Sequence, residues 1–278
     1  MKKFLLTIFL CIFIINYSYA YNLNDQTRVS IGSANIIGTT IGDDSIYAWF
    51  GLPYAQPPVG NLRWKAPRDY IYEDLDIDAN SLPNRCMQVS NFYDVMLTGE
   101  EDGTVFGSED CLYLNVFSPK KKFENNEKLP VMLWIHGGGN TWGYSASPEH
   151  IPENFLKFHD VILVTINYRL GPLGWFSLDE IRDNGESSLD QTSNFGTLDM
   201  IKSLEWVGQN IEKFGGDPDN ITIFGESAGG RNVMSLMVTP QSKNLFKRGI
   251  VQSGYLASDS IEFSENDKRA GSKSFLSN

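Results

Sequence analysis

An α/β layered fold is predicted for this 278-residue chain, and three observations predict it. Four short apolar runs, 130–135 (PVMLWI), 161–166 (VILVTI), 221–224 (ITIF) and 249–252 (GIVQ), are rich in β-branched residues and have turn residues nearby. Short runs without polar alternation fit strands buried on both faces of a parallel sheet. Between the second and third runs, within Asn194 to Lys213, residues Leu198, Ile201, Leu204, Trp206, Val207 and Ile211 recur at roughly helical spacing. Strands that alternate with helices bury their apolar faces against one another as layers.

Residues 1–20 stand apart from that body. Lys2 and Lys3 open it, Phe4 to Ile15 is apolar apart from Thr7, and Ser18-Tyr19-Ala20 is a small-x-small cleavage pattern. This is the pattern of a secretory signal peptide, too short for a comfortable membrane span; an uncleaved anchor is the alternative. No later segment is long and apolar enough to cross a bilayer, so a secreted body from residue 21 to 278 is expected. Removing two lysines takes the net charge from −11 to −13. A field of that sign repels polyanions, which argues against nucleic-acid and anionic-membrane binding. Composition is ordinary, 41% hydrophobic and 21% charged, enough for one large domain or two small ones. Outside residues 1–20 the cysteines are Cys86 and Cys111. An even pair in an exported chain is expected to be oxidised, with two separate buried thiols as the alternative. No Cys/His cluster has the spacing of a metal site.

In chain order, Arg28 to Ile41 reads as two short strands broken at Gly32 and Gly38. Ala48 to Gly51 leads into a turn-rich stretch from Pro53 to Pro67, where Pro57 and Pro58 forbid a helix or a central strand. Lys120 to Lys128 is polar and reads as a surface loop. Gly215 and Gly216 end the long helix, and Ala228 to Met237 can form another.

Two motifs carry chemistry. Gly225-Glu226-Ser227-Ala228-Gly229 lies between the run ITIF and a helix-capable segment, the context of a nucleophile elbow. The turn is so sharp that side chains at its glycines would clash, and it leaves the serine exposed over a helix N-terminus that favours negative charge. His136-Gly137-Gly138-Gly139 follows the run VMLWI directly. Consecutive glycines let backbone N–H groups converge on an oxyanion, each donor worth about 3 kcal/mol in a transition state. A flexible glycine-rich corner is the plainer alternative for that segment alone.

These motifs sit among others in a familiar order. Phe214-Gly215-Gly216 followed by Ile221 to Gly229 resembles the serine motif of type-B carboxylesterases and cholinesterases, and Glu109 to Phe117 (EDCLYLNVF) resembles their second motif. Phe50 to Ala55 with Pro57 to Gly60 and Leu62 to Trp64 is similar to the family's N-terminal block. Asn167 to Gly171, Asn194 to Gly196 with Asp199, and Val251 to Gly254 match in order. The likeness covers nearly all of Arg28 to Gly254.

The resemblance implies an α/β-hydrolase fold, with a mostly parallel central sheet and flanking helices, ending here after the nucleophile helix and the next strand. It implies carboxylic-ester hydrolysis through an acyl-enzyme on Ser227, with no cofactor and a small-molecule ester as substrate. The oxyanion hole would be the N–H groups of Gly138, Gly139 and Ala228, and Glu226 would set the field beside the pocket. Cys86 and Cys111 would close the family's early disulfide loop. Asn220-Ile221-Thr222 is in addition a glycosylation sequon.

The sequence also departs from the family. In this fold the triad runs serine, acid, histidine, yet His136, His150 and His159 all precede Ser227 and only 51 residues follow it. Asp259, Glu262, Glu265 and Asp267 are therefore read as solvated surface charges. Asn140 stands where the family has an aromatic residue. Arg231, where it has a small one, is expected to reach Glu226 or the space of a missing half. Weak or absent catalysis by this chain alone is expected, the alternatives being a non-catalytic binding homologue of adhesion type and a truncated gene product. Residues 249–252 would then be an exposed sheet edge, open to self-association or a companion chain.

Overall fold

The computed structural model describes residues 26–73, 76–91, 101–256, 258–268 and 271–277. The expected signal peptide lies outside the described residues. The strands are β1 (Arg28–Ile31), β2 (Ala34–Ile37), β3 (Thr39–Ile41), β4 (Ile46–Pro53), β5 (Asp76–Asp78), β6 (Gln88–Val89), β7 (Val105–Phe106), β8 (Tyr113–Pro119), β9 (Leu129–Ile135), β10 (Ile162–Ile166), β11 (Gly216–Glu226) and β12 (Arg248–Gln252). The α-helices are α1 (Lys120–Glu124), α2 (Glu153–Leu156), α3 (Gly171–Gly174), α4 (Asp179–Asp183), α5 (Phe195–Asn210), α6 (Ala228–Val238), α7 (Ile261–Asn266) and α8 (Ser272–Leu276). None of the described helices is long and apolar enough to cross a membrane.

Seven strands form the main sheet in the order β12-β11-β9-β10-β8-β4-β3. The four strands from β12 to β10 pair parallel, and β8, β4 and β3 add antiparallel ladders. The four apolar runs are thus the parallel strands. One sheet face, with Val131, Leu133, Ile135, Ile221 and Ile223, packs on Met200, Ile201, Leu204 and Val207 of α5 and on Val233 and Leu236 of α6. Burying each such side chain stabilises the fold by roughly 1.5–3 kcal/mol. The opposite face packs Phe50, Phe117, Leu156 and Leu163 with Met132 and Phe224.

Several local expectations change. Arg28 to Ile41 forms three strands. Gly32 and Gly38 do separate them, but the third, β3, pairs with β4 in the main sheet. Lys120 to Lys128 begins with the helix α1 rather than being loop throughout. Gly215 adopts φ +85° and caps the 3₁₀ turn Ile211–Phe214 that follows α5, whereas Gly216 already belongs to β11. Glu265 is not a solvated charge. It is 4% exposed, accepts a 3.0 Å hydrogen bond from Ser177 Oγ and pairs with Arg182. The pair forms because α7 folds back onto the α4 region, bringing together residues distant in sequence.

A buried ion pair ties α5 to the loop after β10. Arg169 Nε and Nη2 donate to Asp199 at 2.8 and 2.7 Å, and the Arg169 N–H donates to the same carboxylate at 3.0 Å. This fixes the wall beside the C-terminal ends of β9 and β11, where the two glycine motifs emerge.

Candidate active site

β11 runs straight into the elbow. Ser227 takes φ +56° and ψ −118°, a conformation unusual for a residue with a side chain, and α6 starts at the next residue. The Ser227 N–H donates to the Gln252 carbonyl at the end of β12 (2.9 Å), and its carbonyl accepts the Arg231 N–H (2.9 Å). The glycines are required sterically. A Cβ at Gly225 would stand 2.5 Å from the Gly229 carbonyl carbon, and one at Gly229 would stand 2.0 Å from the Ile135 oxygen. Helix α6 therefore crosses against the end of β9, with Glu226 and Ser227 left exposed.

The second motif leaves the end of β9, the strand next to β11. Gly138 and Gly139 have φ +97° and +64°. A Cβ at Gly138 would stand 2.1 Å from the Trp142 oxygen. The Thr141 and Trp142 N–H groups both donate to the Gly138 carbonyl, at 3.0 and 3.1 Å. Among the described residues the Gly138 and Gly139 N–H groups have no acceptor. Ala228 is the first residue of α6, so its N–H has no partner within the helix. The loop touches the elbow at Gly137, whose Cβ position lies 3.4 Å from Ser227 Cβ and 3.3 Å from Glu226 Oε2. Ser227, Glu226, the glycine loop and Ala228 thus share one end of the sheet.

None of the three histidines bonds to Ser227 among the described residues; each has other partners. His136 is buried, stacks on Tyr168 at 4.4 Å and has Nδ1 2.8 Å from the Gly137 carbonyl. Burial pushes its pKa down to about 3, with His150 and Arg85 adding to the shift. His150 holds the Tyr144 carbonyl at 2.8 Å and packs on Trp134, and burial lowers its pKa as well. His159 packs on Phe155 with ring centres 4.6 Å apart.

The other singled-out residues have definite places. Arg231 turns to Tyr255 and not to Glu226, with its guanidinium 4.4 Å from the ring centre and Nη2 2.6 Å from the hydroxyl. Cys86 and Cys111 are bonded. Asn220 lies in β11, and its Oδ1 accepts from Arg248 at 2.7 Å. Sequence reading missed Asn232 and Tyr168. Asn232 is 4% exposed and Tyr168 fully buried, and both reach Asn140 on the glycine loop. Tyr168 lies in a quoted motif, but nothing local to Asn232 signals a partner 92 residues away.

A strained serine between strand and helix, facing a glycine loop from the neighbouring strand, is the arrangement the carboxylesterase likeness implies. The family model described as "Carboxylesterase family" matches residues 25–274. The chain belongs to the carboxylesterase family. Para-nitrobenzyl esterase of Bacillus subtilis (strain 168) is 41% identical over 218 residues, covering 78% of this chain and 41% of that protein. Cocaine esterase of Oryctolagus cuniculus is 41% identical over 230 residues, covering 82% of this chain and 40% of that protein. A solved PNB esterase superposes with TM-score 0.75 at 36% identity, over 91% of this chain and 48% of that one. A thermophilic PNB esterase gives TM-score 0.74 at 36% identity, over 90% and 47%. The fold of this carboxylesterase chain is therefore the α/β-hydrolase fold, and the chain spans less than half the length of these relatives.

Proposed function

We propose that this carboxylesterase chain carries the acylation chemistry of a secreted carboxylic-ester hydrolase, with Ser227 as nucleophile and a small-molecule ester as substrate. The observation that carries the reading is the left-handed Ser227 held against the Gly137 loop. Ser227 Oγ attacks the ester carbonyl carbon, and the carbonyl oxygen becomes an oxyanion. Gly138, Gly139 and Ala228 N–H groups donate to it, without reorganising as the charge develops. The alcohol leaves with a proton, and water then releases the acid from the acyl-serine. Glu226, beside Gly137, sets a negative field at the pocket wall. The chemistry calls for no cofactor. Asn220 is the candidate glycan acceptor, the leader-like residues 1–20 being the support for export.

A serine hydroxyl needs a base, and among the described residues Ser227 is not a partner of any of the three histidines. Catalysis by this chain alone is accordingly weak, on the order of the 10³–10⁴-fold over water that remains when a triad lacks one member. The base of an efficient enzyme would have to come from polypeptide outside these residues, a companion chain meeting the β12 edge being one source. The same engaged histidines favour a second reading, a binding homologue without turnover.

Labelling with a fluorophosphonate separates the two. Slow labelling of the purified protein, lost in Ser227→Ala, is the expected result. A folded protein that takes no label leaves the binding reading in place of the hydrolase.

A further inference from the structure

We propose that Asn140 and Asn232 form an amide clasp that sets the position of the glycine loop relative to the serine-bearing helix. Its catalytic consequence rests on the acyl-serine reading of Ser227. The glycine loop is a poor candidate for holding its own shape. Gly138, Gly139 and Asn140 are three successive residues with positive φ, a region where glycine gains freedom and asparagine is among the better tolerated side chains. Its far end is held by Gln88, whose side chain exchanges hydrogen bonds with the Gly143 N–H (3.0 Å) and carbonyl (3.1 Å). Its near end needs a second anchor, and Asn140 supplies it.

Asn232 Nδ2 donates to Asn140 Oδ1 at 2.9 Å, and Asn140 Nδ2 lies 3.4 Å from Asn232 Oδ1. The Tyr168 hydroxyl donates to the His136 carbonyl at 2.7 Å and stands 3.4 Å from Asn140 Oδ1. The Asn140 carbonyl accepts the Gly171 N–H at 2.7 Å. Asn140 thus links the loop to α6 through its side chain and to the wall after β10 through its backbone carbonyl, while Tyr168, beside the same side chain, holds the root of the loop at His136. Asn232 is 4% exposed, so its amide is costly to leave unpaired and water competes poorly for the contact. It lies in the helix that begins at Ala228, five residues after Ser227. Through it, the separation between the Gly138 and Gly139 donors and the Ser227 hydroxyl is governed by one rigid helix. Both residues are positioning residues, acting through the loop and not on the reacting atoms.

The test uses the full chain with Asn140→Gly, which keeps the left-handed backbone but removes the amide, Asn232→Ala, the double variant and Asn140→Asp. The last retains the acceptor that faces both Asn232 and Tyr168. Amide hydrogen exchange is read at Thr141, Trp142 and Gly171, whose N–H groups are bonded within or onto the loop. Exchange there is expected to quicken about 3- to 10-fold in Asn140→Gly and Asn232→Ala, the scale of one net hydrogen bond. The double variant should be no faster than the singles, as coupled sites require. Asn140→Asp should stay near the wild type, and β9 and β10 amides should not change in any variant. Fluorophosphonate labelling of Ser227 should slow about 10-fold in the same two variants and recover in Asn140→Asp. Unchanged loop exchange, or an equal rise throughout the sheet, overturns the clasp. If the wild type takes no label, the acyl-serine reading fails, while the exchange measurement still decides the clasp.

Discussion

Gly229 shows how far a single residue can be read from sequence. The G-x-S-x-G spacing already demands a glycine there, because the helix must leave the strand within one turn. The structure supplies the contact that the spacing cannot. A Cβ at Gly229 would lie 2.0 Å from the Ile135 oxygen and 2.8 Å from the His136 oxygen, both backbone atoms of the neighbouring strand and its loop. Neither can rotate away, so Gly229→Ala must push α6 off the sheet. Overpacking of this kind costs about 1–3 kcal/mol. The expected outcome is a lower urea midpoint together with loss of any Ser227 labelling; a midpoint equal to wild type would show that the crossing is looser than these distances. Residues whose role depends on a distant partner were not legible in this way. Glu265 reads as one more acid in a polar tail, and only the return of α7 pairs it with Arg182 and Ser177. Asn232 reads as a polar residue in a helix, and only the packing of α6 on the end of β9 gives it Asn140.

At the scale of elements, the parallel strands were legible because they are short apolar runs with both faces covered. β4 and β8 were not, for reasons visible in their residues. β4 contains Gly51 at φ +65°, and its pairing with β8 shifts register between Trp49 and Leu52, so its pattern is broken by a bulge. β8 carries Asn115 and Ser118, both fully buried. Asn115 is accommodated by Ser145 at 3.2 Å, Thr165 at 2.9 Å and the Gly51 N–H at 3.0 Å, partners that no local pattern announces. The edge at β12 was legible and has a consequence. Ile250 and Val251 are 44% and 36% exposed on a strand whose outer side pairs with no other described strand. Such an edge is a template for another chain. These 278 residues made alone are expected to sediment as more than a monomer, and Ile250→Lys with Val251→Lys should shift them toward the monomer, as charged edge residues do. A monodisperse wild-type monomer would remove the edge as an association site.

For the whole molecule, the placement of the histidines turns a question about catalysis into one about stability. His136 is held neutral under the glycine loop, its pKa lowered to about 3 by burial, and His150 is lowered by burial too. An unfolded chain takes up these protons below about pH 6.5, whereas the folded chain takes them up only at lower pH. The stabilisation is therefore complete above about pH 6.5 and is lost progressively on acidification, toward about pH 3 for His136, at about 1.4 kcal/mol per pH unit for each excluded proton. Asp190 adds a later loss. Burial opposes its charge, but Arg68, the Ala66 N–H and Ser187 outweigh burial and hold it at about 2, so its contribution fades only as the pH falls below the usual carboxylate range. One effect has the opposite sign: 34 acidic residues against 23 basic ones repel one another at neutral pH, and acidification relieves part of that. Urea unfolding between pH 7 and 4.5 decides which wins. Stability is expected to fall with pH, and His136→Gln, whatever its absolute cost, should make the fall shallower by about one proton's slope. A wild-type curve that is flat or rises on acidification would mean that relief of charge repulsion wins, whereas a His136→Gln curve as steep as the wild type would mean that His136 takes up its proton in the folded state, and then it could no longer be set aside as a base.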